Sequence, residues 1–256
     1  MESIGIIPVR MGSSRFPGKP LKKICGLPML AHVFERSKRS KCLKDVYVAT
    51  CDIEIFNYAI SIGAKVVMTS KKHQRASDRI AEALTKIEKL LKYKIKNIIM
   101  IQGDEPLIDP MMINKSVQYL RSNKIDVTNI YADIKEEEVW RNRNIVKVIN
   151  DCDNNALYFS REPIPSTSKF SSKIKAKRQI CVIGFTKKSL KLFQNLKPSN
   201  LEITESIDMN RLIENGYRVK MIQTKKDPFP VDKSSDLKKI EKIMIKNKLF
   251  KNYISL

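Results

Sequence analysis

The sequence lacks the features that mark several large classes of protein. No run of 18 apolar residues occurs anywhere in its 256 residues, which argues against a membrane-spanning helix. The amino terminus enters a strand-like pattern directly, without the charged, apolar and small-residue regions of a signal peptide. We therefore expect a cytoplasmic protein.

Cysteine and histidine are both scarce. The five cysteines form no CxxC pair, and their odd number favours reduced structural thiols over disulfides or a zinc site. The two histidines, His32 and His73, argue against a His-rich metal centre and against a His-dependent catalytic triad. A candidate site must therefore be sought among other side chains.

Both common nucleotide-phosphate motifs are missing. The P-loop has four residues between its glycines and a Ser or Thr after its lysine, whereas five residues separate Gly12 from Gly18 and Pro20 follows Lys19. The dinucleotide fingerprint GxGxxG is also absent. Any nucleotide chemistry in this chain must use another geometry.

Residues 4–19, with the sequence IGIIPVRMGSSRFPGK, nevertheless have the composition of a phosphate site. An apolar run typical of a buried strand opens the segment, and Arg10, Arg15 and Lys19 follow it among small residues. Small residues allow backbone N–H groups to approach an anion, and three nearby cations can neutralise a polyphosphate. We predict a phosphate-cradling loop at the carboxyl end of the first strand; the alternative is a basic surface turn.

Basic residues outnumber acidic residues by 49 to 27, which gives a formal net charge of +22. Such an excess is compatible with nucleic-acid binding. However, lysine is spread along the whole chain, and aromatic residues are not interleaved with the basic runs as a stacking platform requires. A generally lysine-rich composition is the favoured interpretation, and a basic nucleic-acid-binding protein is the alternative from another class.

Strand-like and helix-like segments alternate through the first half of the chain. The predicted strands are 46–49, 65–68, 97–101 and 127–131, and the predicted helices cover 28–37, the apolar positions Ile80, Leu84, Ile87 and Leu91, and the apolar positions Ile113, Val117 and Leu120. This alternation predicts an α/β fold with a mostly parallel sheet covered by helices on both faces. Ligands bind beyond the carboxyl ends of such strands, so the segments 10–19, 69–79 and 102–106 are expected to converge on one rim.

The second half follows a different pattern. Segments 145–149, 156–160 and 179–185 are strand-like without long helices between them, which predicts a small antiparallel excursion. We predict one domain over residues 1–256, in which about 132–185 form a lid or dimerisation insertion. The pattern ends with a helix over 202–214 that Gly216 stops, a strand at 218–222 and a last helix through Leu237 and Met244.

Two aspartates are candidate ligands for Mg²⁺. Asp104 lies on a turn after an apolar strand, and Asp232 lies just before the last predicted helix. Mg²⁺ prefers carboxylate oxygens, takes few protein ligands and completes its shell with substrate phosphates. With the cationic loop, the two carboxylates would hold a metal–triphosphate complex, although either residue alone is also typical of a turn or a helix cap.

Two further polar segments contain candidates. In the segment 71–79, Gln74 and Arg79 are suited to reading a base or binding an acid, and Asp78 is suited to capping the next helix. An acidic face recurs at every third residue of the predicted helix 202–214, at Glu202, Glu205 and Asp208. That face could bind a polyhydroxylated or cationic ligand, or it could be a solvated surface paired with lysines.

In this order, these segments resemble the 3-deoxy-manno-octulosonate cytidylyltransferases, also called CMP-Kdo synthetases. The resemblance spans almost the whole chain, and its specificity lies in the combination of the loop with QGDEP at 102–106 and ALYFSR at 156–161. The other matching segments are 7–10, 14–21, 68–70, 73–74, 77–82, 144–148, 163–165, 198–199, 201–202, 205–206, 231–232 and 236–237.

The resemblance implies a nucleotidyltransferase-type α/β fold and Mg²⁺-dependent transfer of CMP from CTP to an acidic 3-deoxy-2-keto sugar. The anomeric hydroxyl of the sugar would attack the α-phosphorus of CTP in line and expel pyrophosphate. A cytoplasmic homodimer that serves lipopolysaccharide synthesis is also implied, with no nucleic-acid partner and no membrane insertion. Carried over by position, the catalytic residues are Arg10, Arg15, Lys19 and Asp104, the metal ligands are Asp104 and Asp232, and the substrate-binding residues are Pro8, Ser14, Gln74, Ser77, Arg79, Gln102, Arg161, Glu202 and Glu205.

The chain departs from the family pattern mainly on the acceptor side. Gln179 stands where an HxGxYxYR-like strand opens with His, DMNR at 208–211 replaces EQLR, QRAS at 74–77 replaces QSGT, and Pro230 replaces a Gly. Kdo, an amino-substituted Kdo and another nonulosonic acid therefore all stay open as acceptors. The nearby alternatives are another sugar nucleotidyltransferase that uses UTP or GTP and a metal-dependent glycosyltransferase of related fold.

Overall fold

In the computed structural model, the apolar runs of the sequence form the strands of a large mixed sheet, and a two-stranded hairpin lies apart from it. The structure describes residues 2–12, 16–122, 124–166, 176–226, 228–231 and 233–254. In these ranges the strands are β1 (Glu2–Pro8), β2 (Lys23–Ile24), β3 (Leu27–Pro28), β4 (Asp45–Thr50), β5 (Lys65–Met68), β6 (Ile95–Ile101), β7 (Val127–Ile134), β8 (Lys147–Asn150), β9 (Ala156–Ser160), β10 (Ala176–Thr186) and β11 (Lys220–Gln223). The helices are α1 (Met29–Lys38), α2 (Ile53–Ser61), α3 (Ala76–Leu90), α4 (Pro110–Arg121), α5 (Glu137–Arg141), α6 (Lys187–Asn195), α7 (Asn200–Glu205), α8 (Asp208–Glu214), α9 (Ser235–Ile245) and α10 (Lys248–Ile254).

β1 lies at the centre of the sheet, between β6 and β4, and all three strands run parallel. The main order is β11–β7–β10–β6–β1–β4–β5, in which β10 opposes both neighbours while the other strands share one direction. β8 and β9 extend antiparallel from β10, and β2 pairs with β3 as a separate hairpin. The predicted α/β fold, with a mostly parallel sheet and a small antiparallel excursion, is confirmed for the described part of the chain.

Helices cover both faces of the sheet because each turns one apolar side towards it. On one face, α3 buries Ile80, Leu84 and Ile87 against the strands. On the other face, α1 and α4 bury side chains that include Val33 and Val117. Each large aliphatic side chain buried in this way contributes about 1.5–3 kcal/mol.

The last two helices, α9 and α10, pack against the segment that follows β1. Phe16 and Tyr253 belong to one buried apolar cluster there. The hydroxyl of Tyr253 lies 2.9 Å from Nδ1 of His32, and the carboxylate of Glu241 accepts a 2.9 Å hydrogen bond from the backbone N–H of Cys25. The carboxyl-terminal helices therefore support the loop after β1 from behind.

One predicted helix is wrong in its extent. Residues 202–214 form two helices, α7 and α8, which are separated at Ser206 and Ile207. Ser206 has the left-handed backbone conformation, with φ 55°, and Ile207 is extended. β8 also begins two residues later than predicted, and α5, α6 and α10 have no counterpart among the predicted helices. For α2, the sequence predicts only that a helix can begin near Asp52.

Among the described residues, none of the helices is both long and apolar enough to cross a membrane. The predicted insertion at about 132–185 includes residues 167–175, which lie outside the described ranges. Its described part contributes the end of β7, α5, β8, β9 and most of β10. The single-domain assignment and a lid or dimerisation role for this insertion stay predictions.

Candidate active site

The carboxyl ends of β1 and β6 bring two polar segments together. The two strands are neighbours in the sheet, so the segment after Pro8 and the segment after Ile101 start side by side. Gly103 lies so close to β1 that a Cβ atom built on it would be 2.2 Å from Cγ1 of Val9. Only glycine avoids this clash, and the turn can therefore carry Asp104 to the rim.

Lys19 joins the loop after β1 to the turn after β6. Its ammonium group donates to Oδ2 of Asp104 at 2.8 Å and to the backbone carbonyl of Val231 at 2.7 Å. Gly18 positions it, because its left-handed backbone (φ 70°) begins a 3-10 turn over Lys19–Leu21. The side chains of Lys19 and Asp104 are 12% and 27% exposed. The loop after β1, the turn after β6 and the segment at Val231 thus meet at the ammonium group of Lys19, which is largely shielded from solvent.

The oxygen atoms around this ammonium group also suit a hard metal cation. The Asp104 carboxylate and the Val231 carbonyl both face Lys19, and Mg²⁺ takes oxygen ligands of these kinds. Asp232, the second predicted ligand, directly follows Val231 but lies outside the described residues. Within the described ranges, no group of three His, Cys, Asp or Glu side chains could hold a metal ion. Mg²⁺ therefore stays a prediction, which this donor chemistry supports.

A cavity of about 350 Å³ opens beside the ion pair, and we call it the first lobe. Arg10 and Gln74 lie on its wall, with Nη1 of Arg10 3.5 Å from Oε1 of Gln74. The other predicted site residues on this wall are Pro8, Lys19, Arg79, Gln102 and Asp104. Ser14 and Arg15, predicted for the same loop, lie outside the described residues. A wall that carries several cations and amide groups suits a polyphosphate.

Arg79 lies mostly buried in the wall of the first lobe, where it bonds to neighbouring residues of the protein. It is 3% exposed, and its guanidinium group donates to Oγ1 of Thr69 at 2.5 Å and to the carbonyl of His73 at 3.3 Å. Ser77 is buried, and its backbone N–H donates to the carboxylate of Asp208 at 3.1 Å. These bonds fix the course of the loop before α3, which carries Gln74 into the cavity.

The predicted helix cap at Asp78 is wrong. α3 begins at Ala76, so Asp78 lies in its first turn, where Oδ1 is 3.4 Å from Nη1 of Arg211. Arg211 forms a two-pronged ion pair with Glu202, with both N–O distances at 2.6 Å. Glu202 is 1% exposed and lines neither cavity of the cleft in the described structure. Its carboxylate is therefore used inside the protein, where Arg211 neutralises it.

A second cavity of about 150 Å³, the second lobe, continues from the first. The two lobes share Gln102, Asp104, Ser206 and Asp208 as a common wall. The remaining wall of the second lobe includes Asn144, Arg161, Arg178, Gln179, Cys181 and Met209. The site is thus a cleft of two connected parts with the Asp104 turn at their junction.

Arg161 reaches the second lobe on a scaffold of hydrogen bonds. Its backbone N–H donates to the Glu205 carboxylate at 2.8 Å, and its guanidinium group donates to the carbonyls of Glu205 and Ser206 at 2.7 and 3.3 Å. The Glu205 carboxylate also accepts from the hydroxyls of Tyr158 and Ser160. Burial alone would raise the pKa of Glu205, but these hydrogen bonds bring it below its usual value. Glu205 therefore holds the strand end that carries Arg161.

Residues 4–244 match the model of a family described as cytidylyltransferase. The chain belongs to the cytidylyltransferase family. It is an enzyme of the nucleotidyltransferase class, and the resemblance seen in the sequence is confirmed.

Relatives of this cytidylyltransferase cover almost its full length. The 3-deoxy-manno-octulosonate cytidylyltransferase of Thermodesulfovibrio yellowstonii is 39% identical over 254 residues, which cover 95% of this chain and 98% of the relative. The 8-amino-3,8-dideoxy-manno-octulosonate cytidylyltransferase of Shewanella pealeana is 40% identical over 236 residues, which cover 91% and 94%. A solved structure of CMP:2-keto-3-deoxy-manno-octonic acid synthetase complexed with CTP has a TM-score of 0.86 and 30% identity, and the match covers 96% of this chain and 99% of that one.

Arg75 and Arg178 line the cleft of this cytidylyltransferase but are absent from the predicted site residues. Asp208 also lines the cleft, and the sequence indicated it only as part of the predicted acidic face. Burial lowers the pKa of Arg178 and raises the pKa of Asp208. The sequence does contain a signal for Arg178. This arginine lies in the same strand as the apolar run of β10, and a charged side chain that is buried there needs a partner to offset the cost of leaving water. Arg75 carries no such local signal, because tertiary packing alone brings it to the cleft, whereas the acidic spacing of the predicted helix 202–214 did indicate Asp208.

Proposed function

We propose that this cytidylyltransferase transfers CMP from CTP to a 3-deoxy-2-keto acid sugar, either Kdo or its 8-amino derivative, and releases pyrophosphate. The observation that carries the proposal is the Lys19–Asp104 pair, which lies where two connected lobes meet. The names of the relatives support the choice of acids. In this proposal the first lobe takes the nucleotide and the second lobe takes the acid.

The proposed reaction is a single displacement at phosphorus. The anomeric hydroxyl oxygen of the acid attacks the α-phosphorus of CTP, and the bond from that phosphorus to the oxygen bridging the β-phosphorus breaks. Pyrophosphate leaves with the bridging oxygen, and the hydroxyl proton is released. Positioning and charge stabilisation are the protein's main contributions to such a step. Arg10 and Lys19 on the first lobe, with Arg15 and Ser14 of the same loop, would bear the charge of the triphosphate.

The second lobe suits an acidic acceptor because two guanidinium groups lie on its wall. Arg161 is oriented by its bonds to the carbonyls of Glu205 and Ser206, and Arg178 is 4% exposed in β10. A carboxylate is favoured beside such groups, which can donate two parallel hydrogen bonds. Gln102, on the wall common to both lobes, would contact the sugar next to the reacting centre.

We also propose that Asp104 and Asp232 hold Mg²⁺. When bound, the metal neutralises charge on the triphosphate and makes the acceptor hydroxyl more acidic. Support comes from Asp104 itself, whose carboxylate is partly exposed on the wall common to both lobes.

Pyrophosphate release tests the proposal directly. Each of the four ribonucleoside triphosphates is combined with Kdo, its 8-amino derivative and N-acetylneuraminate in the presence of Mg²⁺. We expect release with CTP and one or both of the Kdo-type acids. Equal rates with UTP or GTP, or no release with any acid, would overturn the proposal. A nucleic-acid-binding protein would instead show no release and an affinity that falls steeply with salt.

The homodimer, the cytoplasmic location and the role in lipopolysaccharide synthesis are further proposals that rest on the resemblance alone. Sedimentation equilibrium measures the first of these, and a single species at twice the 29.5 kDa chain mass is the expected result.

A further inference from the structure

Ser206 lies at the centre of a short turn that belongs to both lobes. The turn joins α7 to α8, and its backbone is left-handed at Ser206 without a glycine. Ser206 and Asp208 line both cavities, and the intervening Ile207, which is buried in the core, lines the second lobe. A shift of this turn would therefore change the shapes of both lobes at once.

Arg75 holds the turn from the first lobe. Its Nη1 donates to Oγ of Ser206 at 2.6 Å, and its Nη2 donates to the carbonyl of Glu202 at 3.3 Å. Its Nε is 3.5 Å from a carboxylate oxygen of Glu202 and 3.8 Å from one of Asp208. The side chain is only 23% exposed, although Arg75 directly precedes α3. These contacts of Arg75 all lie on or beside the α7–α8 turn.

Arg161 holds the same turn from the second lobe. It donates to the carbonyl of Ser206, while Arg75 donates to the hydroxyl of the same residue. Gln74, the neighbour of Arg75, accepts from Arg10 on the nucleotide side of the cleft. A continuous series of contacts thus runs from Arg10 through Gln74, Arg75 and Ser206 to Arg161.

We propose that Arg75 is a positioning residue that fixes the Ser206 turn and thereby couples nucleotide binding in the first lobe to acceptor binding in the second. This inference rests on the proposed function. In this proposal, nucleotide binding fixes the position of the loop before α3 through Gln74. Arg75, on the same loop, then fixes the position of the Ser206 turn, to which Arg161 is hydrogen-bonded. A series of contacts alone does not establish coupling, so the coupling itself must be measured.

The experiment measures how much one ligand tightens the other. Calorimetric titration gives the dissociation constant of CTP with and without a 2-deoxy analogue of the acid, which lacks the attacking hydroxyl. In the wild type we expect the analogue to tighten CTP binding by about 5–150-fold, the range typical of linked sites. In Arg75→Met we expect the factor to fall to about twofold or less. The factor compares two CTP affinities of the same variant, so it reports coupling even where Arg75→Met, on the wall of the first lobe, also changes the affinity for CTP alone.

Two further variants separate positioning from loss of structure. Arg75→Lys keeps the charge and is expected to restore part of the coupling, and Lys71→Met removes an exposed charge from the same loop and is expected to leave the coupling unchanged. Ser206→Ala removes the hydroxyl acceptor, so combining it with Arg75→Met should add little to the loss from Arg75→Met alone. Circular dichroism and thermal unfolding confirm that each variant is folded.

The outcomes distinguish this inference from the proposed function. A folded Arg75→Met variant that keeps the wild-type coupling factor, or a wild type that releases pyrophosphate but shows no coupling, would overturn the positioning role. A wild type that neither releases pyrophosphate nor binds CTP would overturn the proposed function and this inference with it.

Discussion

Replacing Lys19 with methionine removes one positive charge and keeps a side chain of similar length. The change acts on two neighbours, since the ammonium group donates to Asp104 at 2.8 Å and to the carbonyl of Val231 at 2.7 Å. In the proposed reaction the substitution also removes a cation from the wall of the first lobe, which would hold the triphosphate. Activity and stability are therefore both expected to fall, and they can be measured separately.

The two magnitudes follow from the contacts. Loss of one group that stabilises developing charge lowers the rate by about 10²–10³-fold. The carbonyl of the buried Val231 loses a donor, and an unsatisfied buried polar group costs about 1–3 kcal/mol. For a chain of this size, each kcal/mol shifts the melting temperature by about 2–4 °C. We therefore expect a melting temperature that is lower by about 2–12 °C.

The assay is initial-rate pyrophosphate release over a range of CTP concentrations, carried out well below the melting temperature of every variant. Lys23→Met is the matched control, because Lys23 is exposed in the β2 strand and lines neither lobe in the described structure. If Lys19→Met keeps kcat/KM for CTP within threefold of this control while its melting temperature falls, Lys19 stabilises the fold but does not contribute to catalysis. Its assignment to the triphosphate would then be refuted.

Three other substitutions test the frame around the site. Gly103→Ala should lower kcat/KM by about tenfold or more, because the new methyl group must displace Val9 at the end of β1 and a shift near 1 Å can cost about 10²-fold; unchanged activity would show that the close approach is not needed. Arg211→Met should destabilise the fold by about 3–5 kcal/mol in urea unfolding, because it leaves the buried Glu202 carboxylate without its two-pronged partner; a loss below about 1 kcal/mol, the level of an exposed pair, would contradict this. Burial lowers the pKa of Lys147 from 10.5 to about 8, so between these values the unfolded state binds more protons and stability rises with pH. The unfolding free energy of the wild type relative to Lys147→Met should therefore increase over that pH range, and a flat or falling difference would show that the pKa is not lowered.

The parts of the molecule that were predicted correctly depend on short stretches of sequence. Each apolar run near Ile6, Val48 and Ile99 fills a strand because its side chains are buried on both faces of the sheet. The parallel order then brings the segments that follow these strands to one rim, which is why the Lys19 loop and the Asp104 turn could be predicted to meet.

The parts that were not predicted depend on contacts between distant segments. The acidic residues of 202–214 have helical spacing, yet the helix is interrupted at Ser206, which accepts hydrogen bonds from Arg75 and Arg161. Likewise, Asp78 has the chemistry of a cap, but its neighbour in space is Arg211, 133 positions along the chain. No local pattern records such partners, so the wall between the two lobes could not be derived from the sequence.

The packing of α9 and α10 behind the loop after β1 has a consequence for how the enzyme is made. The residues proposed to hold the triphosphate are synthesised well before α9 and α10, but Phe16 on their loop belongs to a buried cluster that also contains Tyr253 of α10. A growing polypeptide on the ribosome therefore contains β1 before it contains all of the segments that pack behind the first lobe. That lobe can close only after the segment forming α9 and α10 has left the exit tunnel.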